Sequence, residues 1–330
     1  MINNYLLFFL YTTPCIIILL NLKFISYKLK LVDYPKNIKD HDKPTSAAGG
    51  LIIYVGILTF VLADLFILKK INTNYSILFI ITVSIFFFLG IVDDAINLKP
   101  TTKTLIIIIT LLFVLPFNES LIVKEIIFNN LIQKKIALGI FGIPITIFFI
   151  YLFYNAFNFT DGLNGVALSI TIFWLIAIII KKNIGYNIET FLIILSILCI
   201  LFNLSGKLFI GNSGSNLLSA ILSLQLIFNY NTEKILFCDE IFILLMIPGV
   251  DMIRVIFLRI KEGKMPFNGD HKHLHHLLAK KVNKKYVWIF YLGISSFPYL
   301  ISLTMINNLY VILISLLIYI LAIIKTKNNL

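Results

Sequence analysis

Between Leu105 and Phe117 the chain passes through thirteen residues of which only Thr110 is polar, and runs of this kind recur along its length. Water does not tolerate such runs, so each must be buried in protein or in lipid. With 59% hydrophobic residues, 13% charged residues and a mean hydropathy of +0.95, the 330-residue chain has too little polar surface to cover a soluble fold. Soluble Rossmann and barrel enzymes, disulfide-stapled secreted domains and disordered regulators are excluded. Outer-membrane barrels are excluded too, because their strands alternate with period two and these runs do not. The fold class that remains is all-α, a polytopic integral membrane protein in which every backbone group is paired within a helix.

Apolar runs of roughly 15 to 22 residues mark eleven spans, near 5–22, 47–68, 76–92, 104–117, 136–153, 165–180, 189–204, 215–230, 240–258, 286–306 and 309–324. The first lacks a basic leader and a small-residue cleavage site, so it reads as a retained helix. No internal repeat divides the chain, which is read as one polytopic domain over 1–330. The loops at 23–46, 93–103, 154–164, 205–214 and 259–285, with the tail 325–330, hold 19 of the 28 lysines and arginines. The opposite loops hold 8, and Arg254 lies inside the ninth span. That asymmetry assigns the first set to the cytoplasm, with the N-terminus outside and the C-terminus inside. It also accounts for the net charge of +12 without nucleic acid as a partner. Cys15, Cys199 and Cys238 lie far apart with no metal or disulfide spacing and read as small hydrophobes.

Chemistry concentrates on the assigned cytoplasmic side, which holds His41, His271, His273, His275 and His276, all five histidines, and nine of the sixteen acids. The first loop, LVDYPKNIKDHDKPTSAAGG, offers Lys36, Lys39, His41 and Lys43 to a phosphate and ends in Gly49 and Gly50, which permit close backbone approach. An ordinary basic loop explains its lysines equally well. In the second motif Asp93 and Asp94 emerge from an apolar helix, followed by Lys99 and Lys103. Adjacent carboxylates at the negative end of a helix dipole are expensive unless a cation neutralises them, and Mg²⁺ is the natural one beside phosphates. Asn155, Asn158 and Asp161 follow at spacing three on one helix face, and Gly162 and Gly165 then break the helix. The fourth motif, GNSGS from Gly211 to Ser215, opens a span and reads either as an anion nest or as a plain serine cap.

The last motif carries Asp270, His271, His273, His275 and His276. A helix over 271–280 would set Leu274, Leu277 and Leu278 as a stripe resting on the membrane. His273 and His276 would then flank that stripe on one side, His271 and His275 on the other. Such a division favours phosphate contacts over a single zinc site. Few ionisable residues lie at mid-membrane, which argues against a transporter; Asp251 and Arg254, three apart, are spaced to pair with each other.

Taken together and in this order, the motifs resemble the polyprenyl-phosphate N-acetylhexosamine-1-phosphate transferase superfamily, and most of all its bacterial undecaprenyl-phosphate GlcNAc-1-phosphate transferases of glycosyltransferase family 4. The resemblance covers about residues 31–281. It rests on Asp33, Pro35, His41, Pro44, Gly49 and Gly50; on Asp93 and Asp94; on Asn155, Asn158, Asp161 and Gly162; on Gly211, Gly214 and Ser215; and on His273, His275 and His276. Phospho-MurNAc-pentapeptide transferases, with a PTMGG-like first motif and consecutive histidines, fit less well. The resemblance departs at Asn97, Asn164 and Asn212, where the family usually has Asp.

What the resemblance implies is a cytoplasmic-face active site in a bacterial inner membrane. There, N-acetylhexosamine-1-phosphate passes from a UDP-N-acetylhexosamine to undecaprenyl phosphate, beginning a cell-envelope glycan such as O-antigen or teichoic acid. Catalytic roles fall to Asp93, Asp94, Asp161 and His273. Mg²⁺, with Mn²⁺ as the alternative, falls to Asp93, Asp94, Asn158 and Asn212. Substrate contacts fall to Lys39, His41, Lys43, Lys103, Asn155, Gly211, Ser215, His275 and His276. A homodimer is compatible with these roles, and so is a non-catalytic carrier-binding or transport protein.

Overall fold

The computed structural model describes residues 4–35, 43–129, 135–182, 187–233, 236–266, 270–304 and 307–327. Each of the eleven expected spans coincides with a long helix. In chain order they are α1 (Asn4–Leu20), then after the short α2 (Leu22–Lys28) come α3 (Gly49–Ala63), α4 (Thr73–Ile96), α5 (Pro100–Val114), α6 (Gly142–Thr160), α7 (Val166–Lys181), α8 (Ile188–Leu204), α9 (Gly211–Phe228) and α10 (Cys238–Lys261). The short α11 (Leu274–Ala279) precedes α12 (Val287–Ser302) and α13 (Asn308–Lys327). Among the described residues, six helical runs are long and apolar enough to cross a membrane: Gly49–Leu68, Thr73–Ile96, Pro100–Phe117, Gly139–Thr160, Cys238–Lys261 and Asn308–Thr326. Val166–Lys181 and Ile188–Leu204 are apolar but shorter.

Among the described residues two small ribbons interrupt the helical pattern, and neither was legible in the hydropathy. β1 (Val32–Asp33) pairs antiparallel with β2 (Thr45–Ser46), and β3 (Glu125–Ile127) with β4 (Lys135–Ala137).

The core is organised around α9, which packs against α3, α4 and α6. Every residue from Ser213 to Ile227 is buried. A helix enclosed by protein needs no lipid-facing stripe, so this one carries Ser213, Ser215, Asn216, Ser219, Ser223 and Gln225. Several of these polar groups are paired, as an apolar surround favours: Ser219 Oγ donates to the Asn216 carbonyl at 2.7 Å, Ser223 Oγ to the Ala220 carbonyl at 3.1 Å, and Gln225 Nε2 to the Tyr75 hydroxyl of α4 at 3.1 Å. Peripheral helices do the opposite and turn Phe113, Leu105, Phe257 and Leu317 outward.

Helix association in lipid depends on close packing more than on hydrophobic burial, and it favours small residues at the contact. Gly90 of α4 is such a contact. A Cβ there would sit 2.4 Å from Ser213 Cα and 2.5 Å from the Asn212 carbonyl, backbone atoms that cannot turn aside. Gly90→Ala should therefore destabilise the bundle by about 1–3 kcal/mol through overpacking. The thermal midpoint of the purified variant checks this; a midpoint equal to wild type would contradict the packing.

Candidate active site

Where α4 ends, the two adjacent carboxylates face different partners. Asn97 takes a left-handed conformation (φ 51°) and closes the helix with its N–H on the Asp93 carbonyl at 2.9 Å. Asn tolerates that conformation well, which gives the departure from Asp at 97 a local reason. Asp93 is buried: its Oδ1 accepts from Leu98 N at 2.9 Å and its Oδ2 from Lys103 Nζ at 2.6 Å. Its charge is thus taken up by the turn into α5. Asp94 points toward α9, and its two oxygens accept the backbone N–H groups of Asn212 at 3.1 Å and Ser213 at 3.2 Å. The GNSGS start does bind an anion, and the anion is the protein's own carboxylate.

The end of α6 meets the same helix one turn on. Asn158 Nδ2 donates to Ser215 Oγ at 3.2 Å and to Asn216 Oδ1 at 3.3 Å, and its side-chain oxygen Oδ1 has no partner among the described residues. Asn155 Nδ2 turns back to its own helix, on the Tyr151 carbonyl at 2.8 Å. Asp161 caps α6 and has no ion-pair partner among the described residues. Burial, and after it the Asp94 charge, pushes its carboxyl well above the usual carboxylate range. The loop beyond is fixed by a residue the sequence reading missed. Asn203, buried at the end of α8, accepts from Gly165 N and donates to the Leu208 carbonyl at 2.8 Å. A lone amide set in an apolar span was the only signal available for it.

The first loop joins the segment leading into α9. Phe209 N donates to the Ser46 carbonyl at 2.7 Å, while Gly49 and Gly50 donate to the Phe209 and Ile210 carbonyls at 3.0 and 3.1 Å. Lys43 is exposed on this loop. Lys39 and His41 lie outside the described residues. Gly211, at φ 67°, brings its Cα beneath Asp94: a Cβ would lie 3.1 Å from Asp94 Oδ2.

The histidine segment differs most from expectation. The helix begins at Leu274, not His271, and Leu274, Leu277 and Leu278 are buried in the protein core rather than laid on the membrane. Because His271 precedes the helix, it folds back on His276, with the two Nδ1 atoms 3.5 Å apart, while the His273 and His275 rings lie parallel at 5.8 Å. The pairing is therefore 271 with 276 and 273 with 275. His273 is buried, with Nδ1 on Asp251 Oδ2 at 2.9 Å and Nε2 facing Arg259 at 3.4 Å. His275 faces the α6 loop so closely that a Cβ on Gly162 would lie 2.2 Å from its Nε2. His276 is half-buried, its ring 4.2 Å from that of His275.

All five motifs therefore meet at one end of the bundle, around the start of α9. Asp94, Asn158, Asp161, Asn212, Ser215, Gly211 and His275 are brought together. Lys103 is held by Asp93, and His273 is turned into the protein. The donors that remain are oxygens, from Asp94, Asp161 and the Asn158 amide, and Asp94 and Asp161 lie close enough for one charge to raise the other's pKa. That set fits a hard divalent cation held by one or two carboxylates, with phosphate oxygens completing its shell. Asp93, its oxygens already on Lys103 and Leu98, adds nothing to the set in this arrangement.

Burial, and after it the charge of His276, holds His275 well below its ordinary value of 6.5. The unfolded chain then takes up a proton near pH 6.5 that the folded chain refuses. Stability is complete above that pH and is lost as pH falls. The thermal midpoint of the wild-type protein should drop on acidification through about 6.5, and His275→Gln should drop less steeply; equal slopes would contradict the buried neutral ring.

Residues 76–229 match the model of a family described as glycosyl transferase family 4. A Bacillus subtilis protein named probable undecaprenyl-phosphate N-acetylglucosaminyl 1-phosphate transferase is 30% identical over 266 residues, 78% of this chain and 72% of that one. Undecaprenyl-phosphate alpha-N-acetylglucosaminyl 1-phosphate transferases of Escherichia coli strain K12 and Thermotoga maritima are 29% and 26% identical, covering 82% and 92% of this chain and 74% and 92% of their own lengths.

Proposed function

The chain belongs to glycosyl transferase family 4, and we propose that it transfers N-acetylglucosamine-1-phosphate from a UDP-sugar to undecaprenyl phosphate in a bacterial membrane. An oxygen of the lipid phosphate forms a bond to the β-phosphorus of the nucleotide sugar. The bond from that phosphorus to the bridging oxygen breaks, and UMP leaves with the oxygen and its electron pair. The products are undecaprenyl diphosphate-sugar and UMP. The observation that carries this reading is the convergence of carboxylates and amides on the start of α9, with the His275 imidazole against the adjoining loop after α6.

Phosphoryl transfer needs alignment and charge stabilisation more than covalent help. Asp94 is fixed by two backbone N–H groups, so its direction is set before substrate arrives. Asn158 is oriented by Ser215 and Asn216, which leaves its side-chain oxygen Oδ1 for the ligand shell. His275 and His276 offer imidazoles to sugar or phosphate oxygens, and Lys43 stands exposed on the loop that joins the segment leading into α9. Asp94, Asp161 and Asn158 would hold Mg²⁺, with Mn²⁺ as the alternative, and such a cation neutralises phosphate oxygens so that two anions can approach. Asn212 supplies no charge where the family has Asp. The basic bias of these loops supports an orientation with this end of the bundle toward the cytoplasm, where the nucleotide sugar is found, while the lipid substrate arrives through the bilayer.

Purified protein with undecaprenyl phosphate, UDP-N-acetylglucosamine and Mg²⁺ should release UMP. Absence of UMP with every UDP-sugar offered would overturn the reading in favour of a carrier-binding protein without turnover, the alternative that Asn212 favours. Asp94→Asn should cut turnover by roughly a hundredfold or more with the helical content unchanged, and an active variant would remove Asp94 from the site. Asn212→Asp should raise the apparent affinity for Mg²⁺ in a titration of the same reaction; an unchanged or lower affinity counts against a metal role for that position.

A further inference from the structure

Asp251, in the middle of α10, is 3% exposed, yet four donors converge on it. Tyr319 Oη reaches it at 2.7 Å, Arg254 at 2.8 Å, His273 Nδ1 at 2.9 Å, and Leu274 N at 3.1 and 3.2 Å. A carboxylate has about four acceptor sites, so this one is saturated. Leu274 N belongs to the first turn of α11, a helix of six residues that is too short to stand alone and takes its N-terminal cap from another helix. Tyr319 is equally committed, since it donates to Asp251 and accepts from Arg254 Nε at 2.6 Å. Arg254 also holds the Lys272 carbonyl at 2.6 Å, at the entry to α11.

The far side of His273 settles its proton. Arg259 is buried, bonded to Asp270 at 2.9 Å and to the Pro266 carbonyl at 2.6 Å, and presents a further N–H to His273 Nε2 at 3.4 Å. A guanidinium only donates, so Nε2 accepts and the ring proton lies on Nδ1, toward Asp251. Both nitrogens are then engaged by protein, and His273 has none left for substrate. The Phe159 ring, two residues before Asp161, lies 5.0 Å from the His273 ring and 5.1 Å from the Arg259 guanidinium, tying the same cluster to the end of α6.

We propose that Asp251 and Tyr319 are positioning residues, a buried clamp that joins α10 and the C-terminal helix α13 to the histidine segment, locks His273 in its Nδ1–H tautomer and thereby sets His275 against Gly162. The proposal rests on the transferase reading for its effect on turnover but not for its geometry. Tyr319 lies in the last helix, well beyond the residues matched by the family model.

Two measurements on the full chain in detergent test it. In ¹⁵N-histidine NMR, the resonances lost in His273→Gln should report a neutral ring protonated at Nδ1. Asp251→Asn should abolish that signature. In the UMP-release assay, Tyr319→Phe should lower kcat roughly tenfold with KM for the UDP-sugar within about twofold, because alignment and not affinity is disturbed. An Nε2–H ring or an imidazolium at His273 in the wild type would overturn the clamp, as would a Tyr319→Phe enzyme with wild-type kcat. If the wild type releases no UMP at all, the transferase reading fails while the NMR result still decides the clamp.

Discussion

The carboxylate of Asp94 on the first N–H groups of α9 is the contact from which the rest of the site follows. A helix that starts inside a protein has unpaired N–H groups and a partial positive charge, and both are expensive unless an acceptor meets them. Here the acceptor comes from α4, 118 residues earlier in the chain. Once that contact is made, the ends of α4 and α9 cannot separate, and the next turn of α9 presents Ser215 and Asn216 to Asn158 of α6. The first loop is joined by backbone hydrogen bonds to Phe209 and Ile210, just upstream. One enclosed helix thus gathers four of the motifs, and α11 reaches the fifth position through His275 on Gly162.

Enclosure also explains where polarity sits. In lipid a polar side chain is tolerated when it is enclosed or paired, so the serines and amides of α9 are found on a helix that other helices surround. Charge is handled the same way at the opposite end of the bundle. There Lys181 pairs with Glu240 at 3.0 Å, Lys182 with Glu189 at 3.6 Å, and Asn308 Nδ2 donates to Asp239 at 2.6 Å. These contacts close helix ends. At the end where the motifs meet, Asp94 and Asp161 stand together with no cationic side chain bonded to either among the described residues, and that imbalance marks a binding site.

Much of this was legible in the sequence because the signals are periodic or local. Eleven apolar runs give eleven long helices, and the order of the acidic, Asn-rich, Gly-rich and histidine motifs gives the family. What was hidden depends on partners that only the fold supplies. Asp93 and Asp94 are neighbours in sequence and look equivalent, but successive positions on a helix face different ways, so one meets Lys103 and the other α9. The leucines of 274–278 have the spacing of a membrane-resting stripe; α12 and α13 cover them instead. His273 reads as a catalytic histidine until Asp251 and Arg259 are seen on its two nitrogens. Asn203, a lone amide in an apolar run, has no pattern around it, since its partners are backbone groups of two separate loops.

The most direct test of the account is an experimental structure of the protein with a non-reacting UDP-sugar analogue and Mg²⁺ bound. The account predicts the diphosphate beside Asp94, Asp161 and His275, with Asp94 still accepting the N–H groups of Asn212 and Ser213. A diphosphate at the other end of the bundle, or an Asp94 side chain turned away from α9, would contradict it.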